Sequence, residues 1–413
     1  MIRFLALALG LVVAAGVPSL GQAGDMRAVT GALTYTQKIA LPPDARAIVQ
    51  AQGRFGVMLG DVAIEADGHQ MPRGFALDVP VGLSGTVRAL IEVNGAPRWI
   101  VEGVGFDAGA ALVDLGELDL APVTPLAFAT DFLCGDTAVS VGMLGDEVML
   151  RAEGRDIAMT QVRAASGARY EAMDTPDTSV WNKGDAAMIR LNGQDLPECR
   201  EIPPPAERPY RARGNEPGWQ VSLAAGIAMI EADYGAISHE VPRPDAQAVP
   251  GAYEFTMPEA KARLRIEERL CHDDMTGMPY PDTAQLALDG RVLRGCGGDP
   301  ADLLTGATWQ VTALGGATLI EPERLSLNFL DAGRVAGSSG CNRIIGGFTL
   351  TGEGLQFGPM ASTMMACPDP LMEQERRMLD ALEQVAAFDV GADGTLRLLG
   401  DDHRTALIEA TRP

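Results

Sequence analysis

A chain of 413 residues is longer than a single hydrophobic core usually serves, so about two to four domains are expected. With 55 acidic against 33 basic side chains the formal charge is −22, which repels nucleic-acid phosphates and excludes that class of partner, while favouring solubility and electrostatic steering toward a basic protein. Four scattered histidines (His69, His239, His272 and His403) and the lack of any Cys-x-x-Cys argue against a zinc site, and no metal is expected.

In chain order, Arg3 precedes the apolar run 5–17 and the small-x-small step Gly21-Gln22-Ala23, which together read as a secretory signal peptide over residues 1–23. The run falls short of the roughly 20 residues needed to cross a bilayer, and no later stretch approaches that length. A soluble mature protein, periplasmic or secreted, is expected. No cysteine lies near the cleavage site to carry acyl chains, so a lipoprotein anchor is not expected.

Beyond the signal peptide the pattern is strand-like. Ala47-Ile48-Val49, the run 86–93 and Ala262-Arg263-Leu264-Arg265-Ile266 are short, often alternating and bounded by Gly, Pro and Asp. Three breaks divide the chain: Leu120-Ala121-Pro122-Val123-Thr124-Pro125, the stiff proline-rich stretch 202–209, and Cys296-Gly297-Gly298-Asp299-Pro300. The segments are therefore 27–120, 128–200, 210–300 and 303–412. A single helix is predicted after Cys367, with Asp369 as its cap, Pro370 at its first position, and Leu371, Met378, Leu382 and Val385 on one face.

Six cysteines allow 15 connectivities. Pairing neighbours in sequence places one bridge within each of three segments, as Cys134–Cys199, Cys271–Cys296 and Cys341–Cys367, in keeping with an oxidising compartment. Each would contribute roughly 3.5–4.5 kcal/mol by loop-closure entropy. The Cys271-His272-Asp273 run reads as part of a bridge rather than as a thiol nucleophile. H-E-x-x-H, G-x-S-x-G, a phosphate loop and a dinucleotide fingerprint are all missing, so neither enzyme activity nor a cofactor is expected. The fold class is mainly β and multidomain, comprising a β-sandwich, a small β-barrel and an α+β domain.

Several segments resemble known families. Val29-Thr30-Gly31-Ala32-Leu33-Thr34-Tyr35, followed by Ile39-Ala40-Leu41-Pro42-Pro43-Asp44-Ala45, makes 27–120 similar to the YbaY family of envelope β-sandwich domains, which implies a fold and a location but no reaction. In 128–200, Phe132-Leu133-Cys134, Ala165-Ser166-Gly167-Ala168-Arg169-Tyr170, Trp181-Asn182-Lys183-Gly184-Asp185 and the closing Cys199 resemble the membrane-bound inhibitors of c-type lysozyme, the MliC family. That resemblance implies a small β-barrel that pushes a loop into the lysozyme cleft, with Ser166, Gly167, Tyr170, Lys183 and Gly184 at the contact. The chemistry is sensible: such a lysozyme uses one protonated and one ionised carboxylate, so the Lys183 ammonium would pair with the second and the Ser166 hydroxyl would bond to the first. Arg169 and Trp181 are expected to be framework, Trp181 inside the barrel.

Segment 210–300, with Arg213-Gly214-Asn215-Glu216-Pro217-Gly218-Trp219 and Arg294-Gly295-Cys296-Gly297, resembles a small uncharacterised envelope domain. Segment 303–412, with Gly340-Cys341-Asn342-Arg343 and Ala361-Ser362-Thr363-Met364-Met365-Ala366-Cys367, resembles the META domain of the HslJ family, which is linked to envelope stress. Asn342 and Arg343 are secondary binding candidates there. The resemblances imply an exported inhibitor of c-type lysozyme, with room for other envelope partners; the alternative is an envelope-stress or scaffolding protein without inhibitory activity.

Overall fold

The computed structural model describes residues 25–36, 41–66, 71–164, 166–174, 177–183, 186–203 and 208–412. The expected signal peptide lies outside them. The fold is mainly β and multidomain, with one α-helix among the described residues, and none of its helices is long and apolar enough to cross a membrane.

Segment 27–120 folds as two sheets. Arg73–Pro80, Met26–Thr34 and Val113–Asp119 form one; Met58–Glu65, Ala45–Gln52, Gly85–Val93, Ala96–Phe106 and Ala121–Pro122 form the other. Alternation sets the faces: Ala45, Ala47, Val49 and Ala51 are buried, and they meet Val29, Leu33, Leu77 and Val79 from the first sheet.

The second segment is an antiparallel barrel. Its nine-stranded sheet closes on itself because Ser179–Lys183, at one end of the strand order, also pairs with Ala186–Leu191 near the other. Phe132, Val141, Leu150, Met159, Val180 and Ile189 fill the interior. Cys134 and Cys199 sit opposite each other on paired strands and are bridged. This core contains no residue from outside the segment.

Segment 210–300 forms a second nine-stranded antiparallel sheet, from Ile237–Pro242 at one edge to Gln247–Val249 at the other, with the Cys271–Cys296 bridge at one side. Its core is continuous with that of the first sandwich. Phe55 marks the junction, set edge-on to Tyr210, Tyr253 and Phe255 at ring-centroid distances of 5.3, 5.4 and 5.0 Å. Beside it, Arg54 pairs with Asp282 at 2.6 Å, and Asp282 also accepts from the Tyr210 hydroxyl at 3.0 Å. The two segments therefore pack as one body although the barrel separates them in sequence.

The last segment curls a sheet, from Leu355–Phe357 to Ala387–Val390, around the helix Asp369–Glu383, which buries Leu371, Met378 and Leu382. Two details differ from expectation. Pro368 is the cap residue, so Asp369 and Pro370 take the first and second helical positions, and no side chain caps the helix because a proline ring carries no acceptor. Val385 is buried but lies past the helix end. Beneath the Cys341–Cys367 bridge, Asn342 is 3% exposed and donates to Glu375 at 2.9 Å while accepting from Met365 N–H at 2.8 Å, so it is a saturated structural amide rather than a binding group.

Candidate functional site

The candidate site is one rim of the barrel. Arg155–Val162 runs up to it, Ala168–Ala172 runs away, Ser179–Lys183 returns, and Ala186–Leu191 leaves again. The ends of two strand pairs therefore lie side by side, where Arg155–Val162 gives way to Ala168–Ala172 and where Ser179–Lys183 gives way to Ala186–Leu191. The register states this directly, since Ala168 faces Asn182 and Arg169 faces Trp181, which brings Gly167 and Lys183 to neighbouring ends of paired strands. Lys183 in turn pairs with Ala186; Gly184, expected at the contact, and Ala165 lie outside the described residues.

Ser166 and Gly167 are exposed at the loop tip. Gly167 has φ +69°, a conformation that costs a side-chain-bearing residue energy, so the tight return into the strand needs glycine. The loop is fastened from the neighbouring strand by the Trp181 indole N–H, which donates to the Ser166 carbonyl at 2.7 Å. This corrects the expectation for Trp181. Because Val180 is buried in the barrel, strand alternation turns Trp181 outward, where it shares the outer face with Arg169 and the exposed Met188 and pins the loop. Arg169 forms an ion pair with Glu171 at 3.0 Å.

Tyr170, expected among the contacts, points the other way. It is 8% exposed within the barrel core, its hydroxyl directed at Met143 Sδ at 3.8 Å, because its neighbours Arg169 and Glu171 take the outer face of the strand. It supports the loop from below. Arg163, which sequence reasoning passed over, is exposed at the start of the same loop and has no carboxylate partner among the described residues, whereas Arg151, Arg155 and Arg190 are tied to Asp156, Glu153 and Asp195. The only sequence signal for it was a basic residue flanking Ala-Ala-Ser-Gly. Among the described residues no cluster of His, Cys, Asp and Glu could hold a metal.

Two stretches of the chain match known families. Residues 132–197 match the family model of the membrane-bound lysozyme-inhibitor of c-type lysozyme, and residues 302–412 match the META domain. The chain thus carries an MliC domain and a META domain in tandem with two further β segments. No curated protein matches it. Among solved structures, an alternative pilotin from the type II secretion system of Vibrio cholerae is 23% identical, the match covering 24% of this chain and 98% of that one with a TM-score of 0.21. A protein from Burkholderia xenovorans, solved by NMR, is 25% identical, covering 28% of this chain and 88% of that one with a TM-score of 0.24.

Proposed function

We propose that this is an exported, periplasmic or secreted, inhibitor of c-type lysozyme whose barrel plugs the catalytic cleft with residues 163–167 and the Lys183-Gly184 step. The observation that carries the reading is the match of 132–197 to the inhibitor family, joined to a register that sets Ser166–Gly167 beside the end of the Lys183 strand. The Lys183 ammonium pairs with the ionised carboxylate of the cleft, the Ser166 hydroxyl bonds to the protonated one, and Arg163 adds a second cation at the same rim. Gly167 and Gly184 let the backbone approach closely. Tyr170 and Trp181 hold the loop from inside and outside. A plug of this kind excludes substrate and needs no cofactor and no reaction of its own.

The charge of −22 acts at longer range, drawing a cationic lysozyme toward the chain and accelerating encounter at low salt. The META segment supports a second role in envelope protection, which requires no lysozyme contact. Lysis of a cell-wall suspension by a c-type lysozyme separates the two. Added at micromolar concentration, the mature protein is expected to slow lysis in proportion to the complex formed; unchanged lysis would leave only the protective role.

A further inference from the structure

Away from the barrel rim, a cleft of about 550 Å³ opens where the first sandwich, segment 210–300 and the start of the META segment meet. It runs into a second hollow of about 450 Å³ that shares Arg208, Arg213, Tyr280, Asp299 and Pro300 with it, so the two form one groove along the junction. In a chain of charge −22 this groove is unusual, because four arginines line it: Arg54, Arg208, Arg211 and Arg213. Two of them are paired with carboxylates. Arg54 is held by Asp282 at 2.6 Å, and Arg208 by Asp299 and Asp302 at 3.3 and 3.4 Å. Arg211 and Arg213 are exposed and have no carboxylate partner among the described residues.

Arg213 is nonetheless fixed. Its guanidinium lies 5.2 Å from the centroid of the Tyr280 ring and donates to the Tyr280 hydroxyl, a partner that orients the fork without cancelling its charge. The backbone beneath is built for this placement. Arg213 pairs with Cys296 and Cys271 with Tyr280, so the Cys271–Cys296 bridge ties the two side chains' strands together. The approach is so close that a Cβ at Gly295 would lie 2.0 Å from the Arg213 carbonyl oxygen, and one at Gly214 would lie 2.3 Å from that of Arg294. On the far side, a Cβ at Gly352 would come within 3.3 Å of Arg213 Nη2, so the META segment forms the opposite wall. Gly214, Gly295 and Cys296, which lysozyme inhibition leaves without a role, bring the Arg213 strand and its neighbour into this close approach, and the Arg213 guanidinium rests against the Tyr280 ring.

We infer that this groove is a binding site for a small ligand bearing a carboxylate or phosphate group, received by the guanidinium groups of Arg213 and Arg211 with its apolar part along Tyr280 and Tyr210. A fork fixed before binding loses little conformational freedom on engaging a planar or tetrahedral oxyanion, and such pre-organisation is what turns an arginine from a surface charge into a receptor.

The test is calorimetric titration of the mature full-length protein at low salt with citrate and, separately, with pyrophosphate. Saturable binding with a one-to-one stoichiometry is expected, weakened at least tenfold in Arg213→Gln and unchanged in Arg376→Gln, a helix-surface control. Binding of citrate alone assigns the site to carboxylates, and binding of pyrophosphate alone to phosphates. Arg211→Gln, at an exposed position without side-chain bonds among the described residues, gives the same readout if Arg213→Gln fails to fold. Binding of neither probe, or equal loss in the Arg376→Gln control, overturns the assignment.

Discussion

The barrel and the body it interrupts are held together in opposite ways. The barrel owns its core and is closed by strand pairing and the Cys134–Cys199 bridge; in sequence it follows a short 3-10 turn, Pro125–Phe128, and precedes the proline-rich stretch 202–209. The first sandwich and segment 210–300 share a single core, sealed at the Phe55 junction by aromatic contacts and an ion pair between the half-buried Arg54 and the buried Asp282. A module whose stability is local can be carried by many hosts; two sheets that depend on each other cannot be separated. On this view the barrel is an insertion with its own core, carried by a composite platform with a shared one.

Removing the barrel's bridge should have the largest effect. Cys134 and Cys199 are 65 residues apart, a loop whose closure contributes about 4 kcal/mol, so the Cys134→Ala/Cys199→Ala variant should lose the barrel's calorimetric transition at 37 °C while the transition of the platform stays in place. An equal fall in both transitions would show that the barrel is not independent.

Asp282→Ala makes the complementary cut. It leaves the Arg54 guanidinium without its counter-charge at the junction, and a loss of about 3 kcal/mol is expected, at the low end for a buried pair because Arg54 is still 32% exposed. The platform transition should fall by roughly 10 °C and the barrel transition should not move.

A smaller effect should appear at the rim. Trp181→Phe removes the donor to the Ser166 carbonyl, and the expected loss is about 1 kcal/mol of lysozyme affinity, roughly fivefold, with no change in the barrel's melting temperature. Titration of inhibition against lysozyme concentration measures it. A fall in melting temperature as large as the fall in affinity would make Trp181 a folding residue instead.

The smallest effect concerns Glu268, whose carboxylate accepts from Ser84 N–H at 2.6 Å across the platform junction. Burial raises its pKa above the usual carboxylate range. A carboxyl group raised in the folded state contributes stability that is fully present below its unfolded pKa, near 4, and is lost as the pH rises through the folded value. Glu268→Gln, which keeps an acceptor for Ser84, should therefore raise the platform melting temperature at pH 7 by about a degree or two and leave it unchanged at pH 4.

Much of this was legible in the residues. Period-two alternation marked the strands, the spacing of Leu371, Met378 and Leu382 marked the helix, and neighbouring cysteines marked the bridges that form. The Ser166-Gly167 step marked a tight return into the next strand, where Gly167 has φ +69°. Alternation alone does not say which face is inside, which is why Trp181 and Tyr170 exchanged their expected roles: the sense of the strand is decided by Val180 and by the ring of neighbours that closes the barrel. Nor can local pattern reveal a shared core. Arg54 and Asp282 are 228 positions apart, and each alone reads as a solvated surface charge. The arginine groove was hidden for the same reason, since its walls come from three segments that only the fold brings together.

The central claim, that the barrel rim carries the inhibitory contact, is tested most directly by surface plasmon resonance of the mature protein and its Lys183→Ala variant on immobilised c-type lysozyme. Truncating one partner of a desolvated charge pair costs about 2–5 kcal/mol, so affinity should fall roughly 30-fold to several thousand-fold, almost entirely through faster dissociation, while the association rate declines with salt to the same degree in both proteins. A Lys183→Ala variant that binds and inhibits as the parent does would contradict the account and move the contact elsewhere on the chain.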